Sequence, residues 1–421
     1  RFQNEERNKK PVGIHWLQAA SVAATSAPEK REIFAYRLPS ALAVAIAAFF
    51  VSSIARRLFD ARTGALAGLL FATMPLVVSE GVIAKTDAAL LAAVVVAASA
   101  LADIVMRTAK GDRVPFGPPL LFWTALGVGI LIKGPIAPLI FILTIISIAL
   151  ATRSARLLRA IRPASGVVVT ALIVAPWLFA INHSTDGRFF AEALGRDMIG
   201  KIGTAQESHG GPPGFHLALA SLLLWPAAAL LPSGIAAAWR QRRETPFLFL
   251  LCWAAPTWIV FELTSTKLPH YVLPLYPALA ILAARAATEP SALPWPRTIG
   301  AALFALCGVL FAVAVIALPI AYGNGVDAAT SLLGAAIGVG AIALAFQFRR
   351  GASMRSGAGA IALSAATILT LFLAVAPRLE ALDVSRRMSA ALEAERLHPI
   401  RNDAPPAFIA GYSEPSAIFL L

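Results

Sequence analysis

Residues 86–113 read TDAALLAAVVVAASALADIVMRTAKGDR, and the stretch Ala88–Val105 inside them carries a single charge, Asp103. A helix rises about 1.5 Å per residue, so roughly 20 residues of this kind cross a hydrocarbon core about 30 Å thick. The same character recurs on both sides. Leu38–Ser53, Pro135–Ala151 and Leu217–Ala238 contain no acidic or basic residue at all. Hydrophobic residues make up 58% of the 421 and charged residues 14%, against about 25% charged in an ordinary soluble domain. Such a chain is solvated by lipid. Twelve spans are expected, at about 35–55, 64–83, 88–106, 116–132, 135–151, 164–182, 216–238, 247–263, 271–287, 298–321, 328–348 and 357–376. The fold class is therefore all-α and polytopic.

The net charge of +13 raises the question of nucleic acid, and the placement of the charge answers it. Alternate loops carry Arg56/Arg57/Arg62, Arg107/Lys110/Arg113, Arg153/Arg156/Arg159/Arg162, Arg240/Arg242/Arg243, Arg285/Arg297 and Arg349/Arg350/Arg355, half of the 36 basic residues. Short basic loops stay in the cytoplasm, so the excess is a topology signal and no nucleic-acid partner is implied. The other loops then face outward. Residues 1–34 form the first periplasmic loop, which requires one more helix upstream to carry it across. Residues 35–376 form the transmembrane core, including a long periplasmic loop at 183–215. Residues 377–421 open a small periplasmic domain expected to continue past Leu421. In that tail a helical pattern runs over Leu379–Leu397, and Phe408–Tyr412 has the character of a strand. Cys252 and Cys307 lie inside apolar spans without CxxC spacing, so they are read as small core residues.

The outward boundary holds the chemistry. Glu80, Lys85 and Asp87 meet at a helix–turn–helix corner. Asp87 opens the next helix, where it can serve as a cap or as a carboxylate facing a polar cavity. Lys9-Lys10-Pro11 precedes Trp16, and Lys133-Gly134-Pro135 and Lys267-Leu268-Pro269-His270-Tyr271 repeat the theme of lysine before proline. These lysines run against the positive-inside trend. They are headgroup neighbours or point-charge partners for a phosphate. In the long loop, Arg188-Phe189-Phe190 through Ile202 has the spacing of an amphipathic surface helix. It leads into Glu207-Ser208-His209-Gly-Gly-Pro-Pro-Gly214, where His209 is a loop hydrogen-bonding residue or a metal ligand. No HExxH, Walker loop, GxSxG elbow or Cys/His cluster is present, and the chain offers no complete metal site.

Together these segments resemble a known family. Lys9-Lys10-Pro11 is similar to the Lys-Pro motif in the first outward loop of aminoarabinose (4-amino-4-deoxy-L-arabinose) transferases. These are lipid A-modifying C-type glycosyltransferases related to protein O-mannosyltransferases. Gly81-Val-Ile-Ala-Lys85-Thr-Asp87 resembles their second acidic motif, and Leu131-Ile-Lys133-Gly134-Pro135 their Leu-x-Lys-Gly-Pro hairpin. Arg188-Phe-Phe, Ser208-His209-Gly-Gly-Pro-Pro-Gly and Leu224-Trp225-Pro226 follow the surface-helix loop. Ser265-Thr266-Lys267-Leu268-Pro269-His270-Tyr271-Val-Leu-Pro274 is similar to the late Lys-Leu-Pro-x-Tyr-x-Leu-Pro motif. The motifs occur in family order and cover nearly the whole chain.

The resemblance implies the C-type glycosyltransferase fold in a bacterial inner membrane, with the active site facing the periplasm. It implies an inverting transferase moving a sugar (an aminoarabinose-like pentose, or a hexose or uronic acid) from a polyprenyl-phosphate donor. The acceptor is lipid A, lipopolysaccharide or another envelope glycolipid. Lys10, Lys133 and Lys267 become the expected donor-phosphate ligands and Asp87 the visible catalytic carboxylate, the principal one falling upstream. Glu80, Lys85, Arg188, His209, His270 and Tyr271 are cavity candidates. The family binds zinc through its loop His and a Glu that Lys9 replaces here, so no metal is assigned and a divalent cofactor stays open. A secondary transporter or lipid flippase is the alternative for such a chain, although transporters gather charge at the midplane.

Overall fold

The computed structural model describes residues 10–190, 210–289, 293–323, 325–407, 409, 412 and 414–421. Among the described residues there is no β-strand, only an isolated antiparallel bridge between Gly210 and Thr266. Eight helices are long and apolar enough to cross a membrane, and Ala61–Ala72 with Pro75–Gly81 make a ninth, bent by 63°. Gly117–Lys133 and Ile136–Thr152 are apolar helices of 17 residues each, about 26 Å long at the helical rise. The remaining expected span, 216–238, is broken into Phe215–Leu223 and Leu231–Arg240 around Pro226. Every span read from the sequence thus has a helical counterpart. The chain is a polytopic membrane protein. The two interruptions sit where Pro75 and Pro226 supply no N–H to continue the hydrogen-bond ladder.

Burial sorts the helices. In Thr86–Lys110 and Pro269–Thr288, 78% and 83% of the most apolar window is buried by protein, against 17% in Pro163–Ser184. The two central helices are rich in alanine, among them Ala88, Ala97, Ala98, Ala280, Ala283 and Ala284, all nearly inaccessible. Small side chains let helix backbones approach closely, which drives association when lipid is as apolar as the core. Peripheral helices instead present Leu172, Phe179 and Leu263 outward, as lipid-facing surfaces do. Cys252 and Cys307 are free and buried.

The bundle has two chemically distinct ends. Asp87 and Arg107 lie on one helix, separated by about 30 Å at the helical rise. Near Arg107, Asp103 pairs with both Arg107 (3.1 Å) and Arg57 (3.8 Å), and Asp60 meets Arg285 at 3.3 Å. Asp60 also caps Ala61–Ala72 by accepting the Thr63 N–H at 2.9 Å. That hydrogen bond holds its carboxyl below the ordinary range. Lysines and buried acids collect at the opposite end.

The segment expected as the first outward loop contains a helix. Residues Gly13–Thr25 form a helix that packs on Ile33–Leu58 and Gly117–Lys133, with Trp16 exposed. The approach depends on Gly13, because a Cβ there would lie 2.7 Å from the Leu131 carbonyl oxygen. Gly13→Ala is therefore expected to cost about 1–3 kcal/mol through overpacking and to lower the thermal midpoint. Gly117→Ala, whose added Cβ meets nothing within 4 Å, should leave it in place. Equal midpoints for the two variants in a detergent melting experiment would refute this close contact. In the tail, the helical stretch is confined to Val384–Ala394 after a turn at Glu380–Leu382. The expected strand at 408–412 falls mostly outside the described residues.

Candidate active site

Three local breaks bring together the residues expected to face outward. Pro75 starts the short helix Pro75–Gly81 after the bend, which turns Glu80 inward to 4% exposure. Gly134, at φ +64, ends Gly117–Lys133 in a conformation favourable only for glycine, leaving Lys133 at the helix terminus. Pro269–Leu275 is a tight 3₁₀ turn, and it presents His270 and Tyr271 toward Thr86–Lys110.

Asp87 lies at the centre, 5% exposed, and Lys133 Nζ donates a hydrogen bond to its Oδ1. His270 stands between two carboxylates, with Nε2 3.8 Å from Asp87 Oδ1 and Nδ1 3.7 Å from Glu80 Oε1. The second Glu80 oxygen, Oε2, is buried without a hydrogen-bond partner among the described residues. Lys133 Nζ also sits 5.5 Å from the centre of the Tyr271 ring, a cation–π distance. Lys10 and the exposed Lys85 are near enough for their charges to act on Glu80 and His270. One compact cluster therefore unites Glu80, Asp87, Lys133, His270 and Tyr271, with the charges of Lys10 and Lys85 acting on it from nearby.

The capping interpretation of Asp87 is corrected by this geometry. The N-cap of Thr86–Lys110 is Lys85, no side chain caps the helix, and Asp87 lies in the first turn. Its carboxylate is turned toward Lys133, because a buried anion gains more from an ammonium than from an amide.

Lys267 is held elsewhere. Its side chain is buried, and Nζ donates to the carbonyls of Gly211 (3.0 Å) and Thr264 (2.6 Å). Together with the Gly210–Thr266 bridge, it ties the Gly/Pro loop to the Lys-Leu-Pro turn. Arg188 is exposed and donates from Nε to the Thr185 carbonyl at 3.2 Å. No described contact joins Lys267 or Arg188 to Asp87. His209, Lys9 and the expected surface helix beyond Phe190 fall outside the described residues.

His216 and Glu262, which no sequence motif singles out, form a second polar pair. Glu262 accepts the N–H groups of Gly214 and Leu217, both at 3.0 Å, and so caps Phe215–Leu223 from another helix. His216, fully enclosed, reaches the Leu268 carbonyl at 3.1 Å and Glu262 at 3.6 Å. The available signal was an acid near the end of an otherwise uncharged span, a placement that usually marks a polar contact inside the bundle.

Comparison with known proteins follows the same line. A family model described as dolichyl-phosphate-mannose-protein mannosyltransferase matches residues 9–179. The undecaprenyl phosphate-alpha-4-amino-4-deoxy-L-arabinose arabinosyl transferase of Pseudomonas aeruginosa LESB58 is 29% identical over 286 residues, 67% of this chain and 50% of that protein. The corresponding transferase 1 of Pseudomonas fluorescens Pf-5 is 30% identical over 280 residues, 65% of this chain and 49% of its own length. The chain thus spans about half the length of the curated relatives it matches. The crystal structure of ArnT from Cupriavidus metallidurans bound to undecaprenyl phosphate superposes with a TM-score of 0.75 at 21% identity, covering 100% of this chain and 79% of that one. In sequence the chain is similar to the aminoarabinose transferases over about two thirds of its length, and over its whole length it has the C-type glycosyltransferase fold that its motifs implied.

Proposed function

We propose that this chain forms the membrane core of an inverting glycosyltransferase. It takes a sugar from a polyprenyl-phosphate donor and passes it to an envelope glycolipid, lipid A or lipopolysaccharide, at the periplasmic face of the inner membrane. The observation that carries the proposal is the buried Asp87–Lys133 pair with His270 and Glu80 beside it, at the lysine-rich end of a membrane bundle. The names of the relatives, which specify an undecaprenyl-phosphate-linked aminoarabinose, support the donor class.

In this mechanism the acceptor hydroxyl oxygen attacks the anomeric carbon from the side opposite the phosphate. The carbon–oxygen bond to phosphate breaks, and its electron pair leaves with the polyprenyl phosphate, so the anomeric configuration inverts. Lys133 has three donors, so it can hold Asp87 and still meet a phosphate oxygen. Lys10 and Lys85 add positive potential, and Lys267 contributes from the loop edge, where one of its three donors remains after the two carbonyls. Preorganised cations of this kind stabilise charge developing on a leaving group. Asp87 aligns the acceptor hydroxyl and can accept its proton as the oxygen attacks.

Full-length protein in liposomes, supplied with labelled polyprenyl-phosphate sugar and lipid A, is expected to release polyprenyl phosphate and glycosylated lipid in equal amounts. Movement of intact donor between leaflets without bond cleavage would instead identify a flippase. The orientation has its own test. A cysteine replacing Thr204 should react with an impermeant thiol reagent added outside, and one replacing Arg156 should be protected. The reverse pattern would overturn the periplasmic assignment.

A further inference from the structure

At the end of the bundle opposite Asp87, a cavity of about 570 Å³ opens beside the short helix Arg156–Ala160. Thr108, Asp112, Val114, Arg156, Arg159 and Arg162 line it. Among the described residues, no carboxylate pairs with any of the three arginines, although Arg57, Arg107 and Arg285 all find acids nearby. Arg162 is preorganised: its Nη2 donates to the Val114 carbonyl at 3.0 Å and its guanidinium stacks 5.3 Å from the centre of the Phe116 ring. Its backbone adopts φ +52, a left-handed conformation that glycine or asparagine takes at lower cost. The hydroxyl of Thr108 is buried with no hydrogen-bond partner among the described residues. Three guanidinium groups, offset only by the single carboxylate of Asp112, thus converge on one cavity.

The apolar surroundings indicate which anion. Phe116, Leu120 and Leu158 are exposed large side chains, Phe116 lying under the Arg162 guanidinium and Leu158 between Arg156 and Arg159 in the chain. An apolar ledge next to an arginine pocket, at the end of membrane helices, matches a ligand with a phosphate head and acyl tails. Basic pockets between membrane helices bind such headgroups. Guanidinium forks also suit phosphate oxygens better than a point charge does. We propose that this cavity binds the headgroup of an anionic phospholipid from the leaflet opposite the Asp87 site.

The test is native mass spectrometry of the purified full-length protein released from detergent containing equal phosphatidylglycerol and phosphatidylcholine. The unsubstituted protein should retain phosphatidylglycerol selectively. The variant Arg156→Ala/Arg159→Ala should retain it roughly thirty-fold less well, the scale expected for two arginines near a lipid phosphate. Arg240→Ala/Arg243→Ala, an equal loss of charge on another basic loop, should behave like the unsubstituted protein. Both variants should share its lipid-free thermal midpoint, since all four arginines are exposed. Equal lipid loss from the two variants, or no preference for phosphatidylglycerol, overturns the site. If inorganic phosphate at millimolar concentration displaces the lipid completely, the cavity is a small-anion site and the lipid assignment fails.

Discussion

Asp87→Asn is expected to insert and purify like the unsubstituted protein while transferring sugar at least ten-fold more slowly. Asparagine keeps the size and the hydrogen-bond acceptor of aspartate, so Lys133 Nζ retains a partner and the helix start is undisturbed. What disappears is the negative charge between Lys133 and His270. If that charge aligns or polarises the acceptor hydroxyl, its loss removes part of a contribution that is typically about 10²–10⁴-fold for a general base. Glu80→Gln should be milder, because Glu80 lies on the far side of His270 from Asp87, 3.7 Å from the imidazole, and the resemblance motif leaves it outside. Initial rates with polyprenyl-phosphate sugar, normalised to folded protein, decide the matter. Full activity in Asp87→Asn would make the residue a structural partner of Lys133 and exclude its carboxylate from the reaction.

Lys133→Met carries the other large effect, and it acts on stability as well as turnover. Removing one member of a buried ion pair leaves the other as an uncompensated charge, a loss of about 3–5 kcal/mol when both are fully enclosed. The Lys133 side chain is 20% exposed while Asp87 is 5% exposed, so solvent screens the pair in part and about 2 kcal/mol is the expected scale. Activity should fall further than stability, because the ammonium proposed to meet the donor phosphate is also gone. The double variant Asp87→Asn/Lys133→Met separates the two effects. Its buried carboxylate has become a neutral amide, so the thermal midpoint should recover toward that of Asp87→Asn while transfer stays lost. Melting curves and rates on the four members of the cycle measure the coupling directly. A double variant no more stable than Lys133→Met alone would show that the charges do not interact as described.

The sequence by itself determined that this chain crosses a membrane many times, and where. Span length and loop charge are local properties: Ala88–Val105 has to be buried in apolar surroundings whichever helix lies beside it. The lysine and aspartate motifs were legible for a related reason, since a charge at the end of an apolar run stands out against its neighbours. Even so, local reading put Asp87 on its own helix terminus. Its partner, Lys133, is 46 positions away and meets it only because Thr86–Lys110 and Gly117–Lys133 pack together with the Gly134 turn at their shared end. The tertiary structure also decided that His270 bridges Glu80 and Asp87, that Lys267 spends two donors on loop carbonyls, and that Glu262 caps a helix some 45 residues earlier in the chain. Each of these is a contact between segments far apart in sequence. Its geometry follows from close helix packing at small residues and from prolines that end helices at particular points, and neither can be summed from residues taken one run at a time.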